Sequence, residues 1–265
     1  MPAVTGKVIL VTGASGGIGT AVSRHLAELG YGLVLTARNT EKLDALAAGL
    51  AGYERGLHQT IAVDMTDIAS IAALADEMAR RSITLDGVVL MPPQAHSTND
   101  PMPASSAWTE LFQNCFIGPL ELLKAAIARM SPEPANGRRA KIVLISGISS
   151  AQVLGHYATS NVLRCAWLGE AKTLAFALGG RGIHVNTLSL GGTLSPWYKA
   201  GLEKRAEAAG VTLAERLAEE TSNIPLGKYG EPAEVAVAVA GLLSSFSDHM
   251  TGVNIMHDGG FTRAY

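Results

Sequence analysis

The stretch Lys7-Val8-Ile9-Leu10-Val11-Thr12-Gly13-Ala14-Ser15-Gly16-Gly17-Ile18-Gly19 decides the fold. An apolar run of strand length enters a turn rich in glycine. An amphipathic helix follows, with Ile18, Val22, Leu26 and Leu29 at three- and four-residue spacing. Glycine serves such a turn in three ways: the chain bends sharply off the strand, the backbone can approach a pyrophosphate, and the helix packs tightly on the sheet. The N–H groups of the helix's first turn then face the phosphates, and the helix dipole adds attraction. Gly13, Ser15, Gly16, Gly17, Ile18 and Gly19 are therefore expected to bind a dinucleotide.

Strand and helix patterns alternate along the rest of the chain. Gly32-Leu33-Val34-Leu35-Thr36 and residues 58–63, 85–89, 141–145, 183–188 and 253–256 read as further strands. Helical periodicity covers 43–50, 68–78, 108–130, 155–178 and 231–243, the last with Pro232 tolerated in its first turn. The alternation predicts an α/β, doubly wound parallel sheet of seven strands, a Rossmann-type single domain over residues 1–265. A charged, Ala-rich stretch at about 193–223 is expected to form a helical insertion on the substrate side. The fourth strand runs into Leu90-Met91-Pro92-Pro93, where two prolines remove two backbone donors and fix φ twice. His96 follows in a polar loop.

Bulk properties narrow the function. A chain of 265 residues, 48% hydrophobic and 17% charged, can fill one large α/β core. Its net charge of −2 carries no basic block, so nucleic acid and anionic membrane are not expected partners. Apolar stretches such as 235–243 are too short to span a bilayer. The chain enters its first strand without a signal-peptide pattern, and Cys115 and Cys165 lack metal-ligand spacing. A cytoplasmic protein with two core thiols and no metal is expected.

The pattern Thr-Gly-x-x-x-Gly-x-Gly at residues 12–19 resembles the short-chain dehydrogenase/reductase family, and the resemblance continues to Gly252 and Asp258-Gly259-Gly260. It implies a nicotinamide cofactor, a small-molecule carbonyl or alcohol substrate, and assembly as a homotetramer through the two long helices. The tip of the second strand selects the cofactor. Ala37 carries no carboxylate to take the ribose hydroxyls, and Arg38 offers a planar fork suited to a 2′-phosphate, so NADP(H) is expected over NAD(H). The family's pattern also implies Asp64 near the adenine, Gly191 in the cofactor-binding loop after the sixth strand, and Thr193 and Ser195 near the nicotinamide amide and the diphosphate.

The same resemblance departs where the family keeps its chemistry. Family members use a tyrosine as proton donor, a lysine one turn later, a serine on the substrate oxygen and an asparagine in the preceding long helix. Counting back from Leu168-Gly169, Lys172 and Leu174-Ala175 places Ser160 at the tyrosine position and Arg164 at the lysine position, where its charge can still bind the cofactor's ribose hydroxyls. The same count puts Gly147 at the serine position, and Trp108, Gly118 and Lys124 put Cys115 at the asparagine position. Tyr157, Ser160, Asn161 and Arg164 would share one helical face. Tyr157 then either reaches the pocket from one turn earlier or packs at the helix start. Ser146 either supplies a hydroxyl or satisfies local backbone groups. Two helical turns, about 10 Å of rise, separate Tyr157 from Arg164, so their coupling is expected to be small.

Three functions fit these residues. One is an NADP(H)-dependent oxidoreductase with a rearranged donor, its catalytic candidates being Tyr157, Ser160, Arg164 and Ser146. The second is a lyase or isomerase on the same fold, by loose analogy with halohydrin dehalogenases. The third is an NADP(H)-binding protein without turnover. Fold-level analogy favours the first.

Overall fold

The computed structural model describes residues 6–95 and 98–264; His96 lies outside the described residues. Strands β1 (Val8–Val11), β2 (Gly32–Ala37), β3 (His58–Ala62), β4 (Gly87–Leu90), β5 (Ala140–Gly147), β6 (Ile183–Leu190) and β7 (Asn254–His257) form one parallel sheet in the order β3-β2-β1-β4-β5-β6-β7. The order reverses between β1 and β4, so the strand ends there open into a crevice. β1, β4 and β5 are buried on both faces, which explains why they read as nearly unbroken apolar runs.

Helices cover both faces. Val22 and Leu26 of α1 (Gly17–Glu28), Leu43 and Leu46 of α2 (Thr40–Ala48), and Val235 and Val239 of α9 (Pro232–Leu243) fill one apolar layer. The other layer takes Leu74 of α3 (Ile68–Arg80), Leu122 of α5 (Gly118–Ile127) and Trp167 of α6 (Ala158–Gly179). The stretch after β6 forms α7 (Pro196–Ala209) and α8 (Leu213–Thr221), the latter opened by a capping box between Thr212 and Glu215.

The prolines after β4 are accommodated by Thr12. Its N–H donates to Val89 O at 3.1 Å, and its hydroxyl takes the Met91 N–H at 2.8 Å. Met91, the first residue beyond β4, is thus the last before the prolines with a donor to place.

Two long-helix expectations need correction. Residues 108–130 do not form one regular α-helix: α4 (Ser105–Phe112) passes without a break into a wide π turn over Gln113–Ile117 before α5 begins. Pro119 supplies the reason. It has no N–H for the Cys115 carbonyl one turn back, and that carbonyl instead accepts the Trp167 Nε1–H at 2.9 Å. Gly118 meets the Met65 carbonyl so closely that a Cβ would collide with it. The helix expected over 155–178 begins later, at Ala158. The Asn161 side chain holds the backbone of Leu154, donating to its carbonyl at 3.0 Å, while the Ala158 N–H donates to Thr98 O. Both bonds keep residues 155–157 out of the helix.

Thr12 is fully buried, so its role is testable in isolation. Thr12→Val keeps the shape but leaves the Met91 N–H without its acceptor. It should lower the unfolding free energy in urea by about 1–3 kcal/mol.

Candidate functional site

Every residue expected to hold the dinucleotide lies at the carboxyl edge of the sheet, because all strands run the same way. Gly13, at φ 58°, turns the chain off β1, and the Gly16 N–H donates to Gly13 O at 2.9 Å. A Cβ on Gly19 would collide with that same carbonyl, so only glycine lets α1 lie this near the turn. Ser15 is half-buried within the turn, and Gly16 caps α1 without any side-chain bond. The N–H groups of Gly17, Ile18 and Gly19 are therefore not capped by the preceding residue, and a helix start of this kind suits an anion. Arg38 is exposed beyond β2. Asp64, after β3, accepts the Thr66 N–H at 2.9 Å; that bond, the Thr66 hydroxyl and the Arg38 charge outweigh burial and hold its carboxyl below the ordinary value.

The loop after β6 is equally constrained. The Gly191 N–H donates to His257 O at 3.0 Å, and a Cβ there would sit 2.8 Å from Asp258. Thr193 is buried and donates its hydroxyl to Gly191 O at 3.2 Å. Pro196, at the start of α7, leans on the glycine turn: a Cβ on Gly17 would come within 2.6 Å of Pro196 Cδ. The chain's helical insertion and its phosphate-type turn are in direct contact, which no local pattern announces.

Arg164 organises the second half of the site. Its guanidinium donates Nη1–H to Ser149 Oγ and Nη2–H to Gln94 Oε1, each at 2.9 Å, and its Cζ stands 5.2 Å from the centre of the Tyr157 ring. No carboxylate lies within ion-pair distance of it among the described residues. Burial pushes this guanidinium below the usual arginine value, with Tyr157 opposing. Gly147, ending β5, faces the same group so closely that a Cβ there would collide with Cζ. The arginine fills the space a side chain at 147 would need.

Beneath Arg164 lies a small cleft open to solvent. Pro92, Pro93 and Gln94 close one side; Cys115, Ser146, Ser160 and Trp167 line the rest. The Ser146 hydroxyl is buried there with no hydrogen-bond partner among the described residues. Burial pushes the Cys115 thiol above its ordinary value, so it stays protonated and unreactive. Ser160 and Arg164 thus share a cavity as their spacing implies. Asn161 does not join them, because it is tied to Leu154. Tyr157 is the cap residue of α6 and not part of its first turn, so its ring is free of the helical register. That freedom, together with the length of the arginine, closes the two-turn gap: the side chains meet where their backbones do not.

Gln94 escaped the sequence reading, although it is the first polar residue after the two prolines. A second polar cluster did too. Glu220 on α8 accepts from Arg205, from Arg216 and from the Tyr229 hydroxyl at 3.0 Å; burial raises its carboxyl, but these bonds hold it net below its ordinary value. Burial pushes the Tyr229 phenol up, and its bonds to Tyr198 and Glu220 add to the rise, so it is a poor acid. Residues from three separate segments build this cluster, and helical spacing accounts for the Arg216–Glu220 pair but not for the approach of Arg205 and Tyr229.

A parallel seven-stranded sheet with a glycine turn where the strand order reverses, and a polar cleft at the ends of β5 and α6, defines a doubly wound α/β protein of the Rossmann plan. The family model described as Enoyl-(Acyl carrier protein) reductase matches residues 13–262. D-threitol dehydrogenase of Mycolicibacterium smegmatis is 31% identical, covering 97% of this chain and 93% of that protein. The 3-oxoacyl-[acyl-carrier-protein] reductase FabG of Rickettsia conorii is also 31% identical, covering 97% of each. The chain belongs to the short-chain dehydrogenase/reductase family. Among solved structures, L-sorbose reductase from Gluconobacter frateurii, complexed with NADPH and L-sorbose, shares the fold at a TM-score of 0.90, with 23% identity and full coverage of both chains. An NADPH-bound short chain oxidoreductase from Pseudomonas aeruginosa PAO1, described as containing an atypical catalytic center, gives 0.84 at 27% identity over 98% of each chain.

The fit of Gly147 to Arg164 can be tested by a double-mutant cycle. Gly147→Ala should destabilise the protein by about 1–3 kcal/mol, the usual cost of overpacking. In an Arg164→Ala background the same change should cost little, because the colliding group is gone. Additive effects in thermal or urea unfolding would show that the two do not share the space.

Proposed function

We propose that the protein is an NADP(H)-dependent oxidoreductase for a carbonyl/alcohol pair, with Tyr157 as proton donor and Arg164 in place of the family's lysine. The observation that carries this reading is the Arg164 guanidinium, seated against Gly147 and 5.2 Å from the Tyr157 ring. The shared cleft of Cys115, Ser160 and Arg164, with Gly147 against the arginine, supports the reading that all four family positions are substituted. Serine hydroxyl is far too weak an acid to replace phenol, so Ser160 contributes a hydrogen bond and not the proton.

The residues fit a dinucleotide. The uncapped N–H groups of Gly17, Ile18 and Gly19 suit its pyrophosphate, Asp64 its adenine end, and Gly191 and Thr193 its nicotinamide end. Arg38, with no carboxylate at Ala37, favours a 2′-phosphate, and the NADPH-bound relative agrees with that preference. When bound, the nicotinamide supplies hydride to the substrate carbon or takes it away. In the reducing direction Tyr157 gives its hydroxyl proton to the substrate oxygen. Exposed Val162 and Phe176 along α6 support assembly through that helix into a homotetramer. Light scattering at micromolar concentration should show the oligomer, and a monomer would overturn it.

Arg38→Ala should weaken NADPH binding by about 1–3 kcal/mol, the scale of a charge-assisted hydrogen bond, and leave NADH nearly unchanged. Equal losses for both cofactors by calorimetry would reject the 2′-phosphate assignment. Tyr157→Phe should abolish reduction of electron-poor ketones while leaving NADPH affinity intact. A rate indifferent to that change would remove Tyr157 from the mechanism, and tight NADPH binding without turnover on any carbonyl would make the protein a binder.

A further inference from the structure

A charge taken out of water normally finds an opposite charge, yet among the described residues Arg164 is held by the neutral acceptors Gln94 and Ser149 and the face of Tyr157. The Ser146 hydroxyl lines the cleft beside it, buried and without a hydrogen-bond partner among the described residues. A cation without an anion and a donor without an acceptor thus border one cavity that opens to solvent. We infer that this cleft binds the carboxylate of the substrate, which is a 2-oxo acid or the matching 2-hydroxy acid, through Arg164 and the Ser146 hydroxyl.

Charge and shape select this class. One guanidinium neutralises a monoanion, whereas a phosphate dianion would leave excess charge against the walls of Ile145, Leu163 and Trp167. Two of the five guanidinium donors are engaged by Ser149 and Gln94, which leaves donors on a planar fork for a carboxylate oxygen and the neighbouring carbonyl oxygen together. The inference rests on the oxidoreductase reading for its chemistry, but carboxylate binding can be measured without turnover.

Pyruvate and methyl pyruvate provide the probe, one charged and one not. Calorimetry with saturating NADP+, which cannot reduce either, should show pyruvate binding at least about tenfold more tightly to the native chain, the scale of a charge-assisted pair. Arg164→Gln should erase that preference, Arg164→Lys should restore part of it, and Ser146→Ala should weaken pyruvate by about threefold to tenfold with less effect on the ester. Thermal melts check that each variant is folded. Equal binding of acid and ester to the native chain overturns the carboxylate site, as does an acid preference that survives in Arg164→Gln. Should the preference appear while NADPH reduces neither compound, the carboxylate site stands and the oxidoreductase reading falls.

Discussion

The structure depends on how closely α1 can press its first turn against the end of β1. Gly19 allows that approach, since any side chain there would strike the Gly13 carbonyl. Gly13 permits the turn itself by taking a positive φ. From this contact follow the exposed, uncapped start of α1, the seating of Pro196 over Gly17, and the position of Thr12. Thr12 in turn anchors Met91 and releases the two prolines toward the cleft. One close backbone approach thereby fixes the crevice and the direction in which the β4 loop leaves it.

Around Arg164 the chain assembles a site from four segments. Gln94 comes from the loop after β4, Gly147 from the end of β5, Ser149 from the turn beyond it, and Tyr157 from the cap of α6. Each accommodates the guanidinium differently: two by accepting hydrogen bonds, one by lacking a side chain, one by offering a ring face. A lysine in the same place would present a compact charge on a flexible stem and could not offer a planar fork to two acceptors and a flat face to a ring. The glycine at 147 and the arginine at 164 are therefore one structural solution, in which a side chain is given up so that a larger one can lie across the strand end.

The helices beyond β6 are tied to the sheet at two points. Pro196 packs on the glycine turn, and Tyr229 lays its ring over Gly192 so tightly that a Cβ on the glycine would collide with it. The Tyr229 hydroxyl then reaches Glu220 on α8, where Arg205 and Arg216 also converge. The polar cluster thus fastens α7 and α8 to the loop holding Gly191 and Thr193. Movement of these helices would be felt at the same backbone that borders the expected cofactor site.

The sequence by itself determined the parallel seven-stranded sheet, the glycine turn and the residues ranged along its carboxyl edge. These are legible because they depend on periodicity over a few residues and on the special backbone freedom of glycine, both local properties. Even the four-position count that pairs Gly147, Ser160 and Arg164 uses only distances along the chain. The tertiary structure alone decided that Pro119 interrupts the regular α-helix over 108–130 with a π turn, since the released Cys115 carbonyl needs an indole from another helix. It alone turned Asn161 away from the cleft, brought Tyr157 to Arg164 across two helical turns, and delivered Gln94 to the same guanidinium. Those outcomes depend on long side chains meeting in space from segments up to 70 residues apart, and no spacing in the chain encodes where such side chains end.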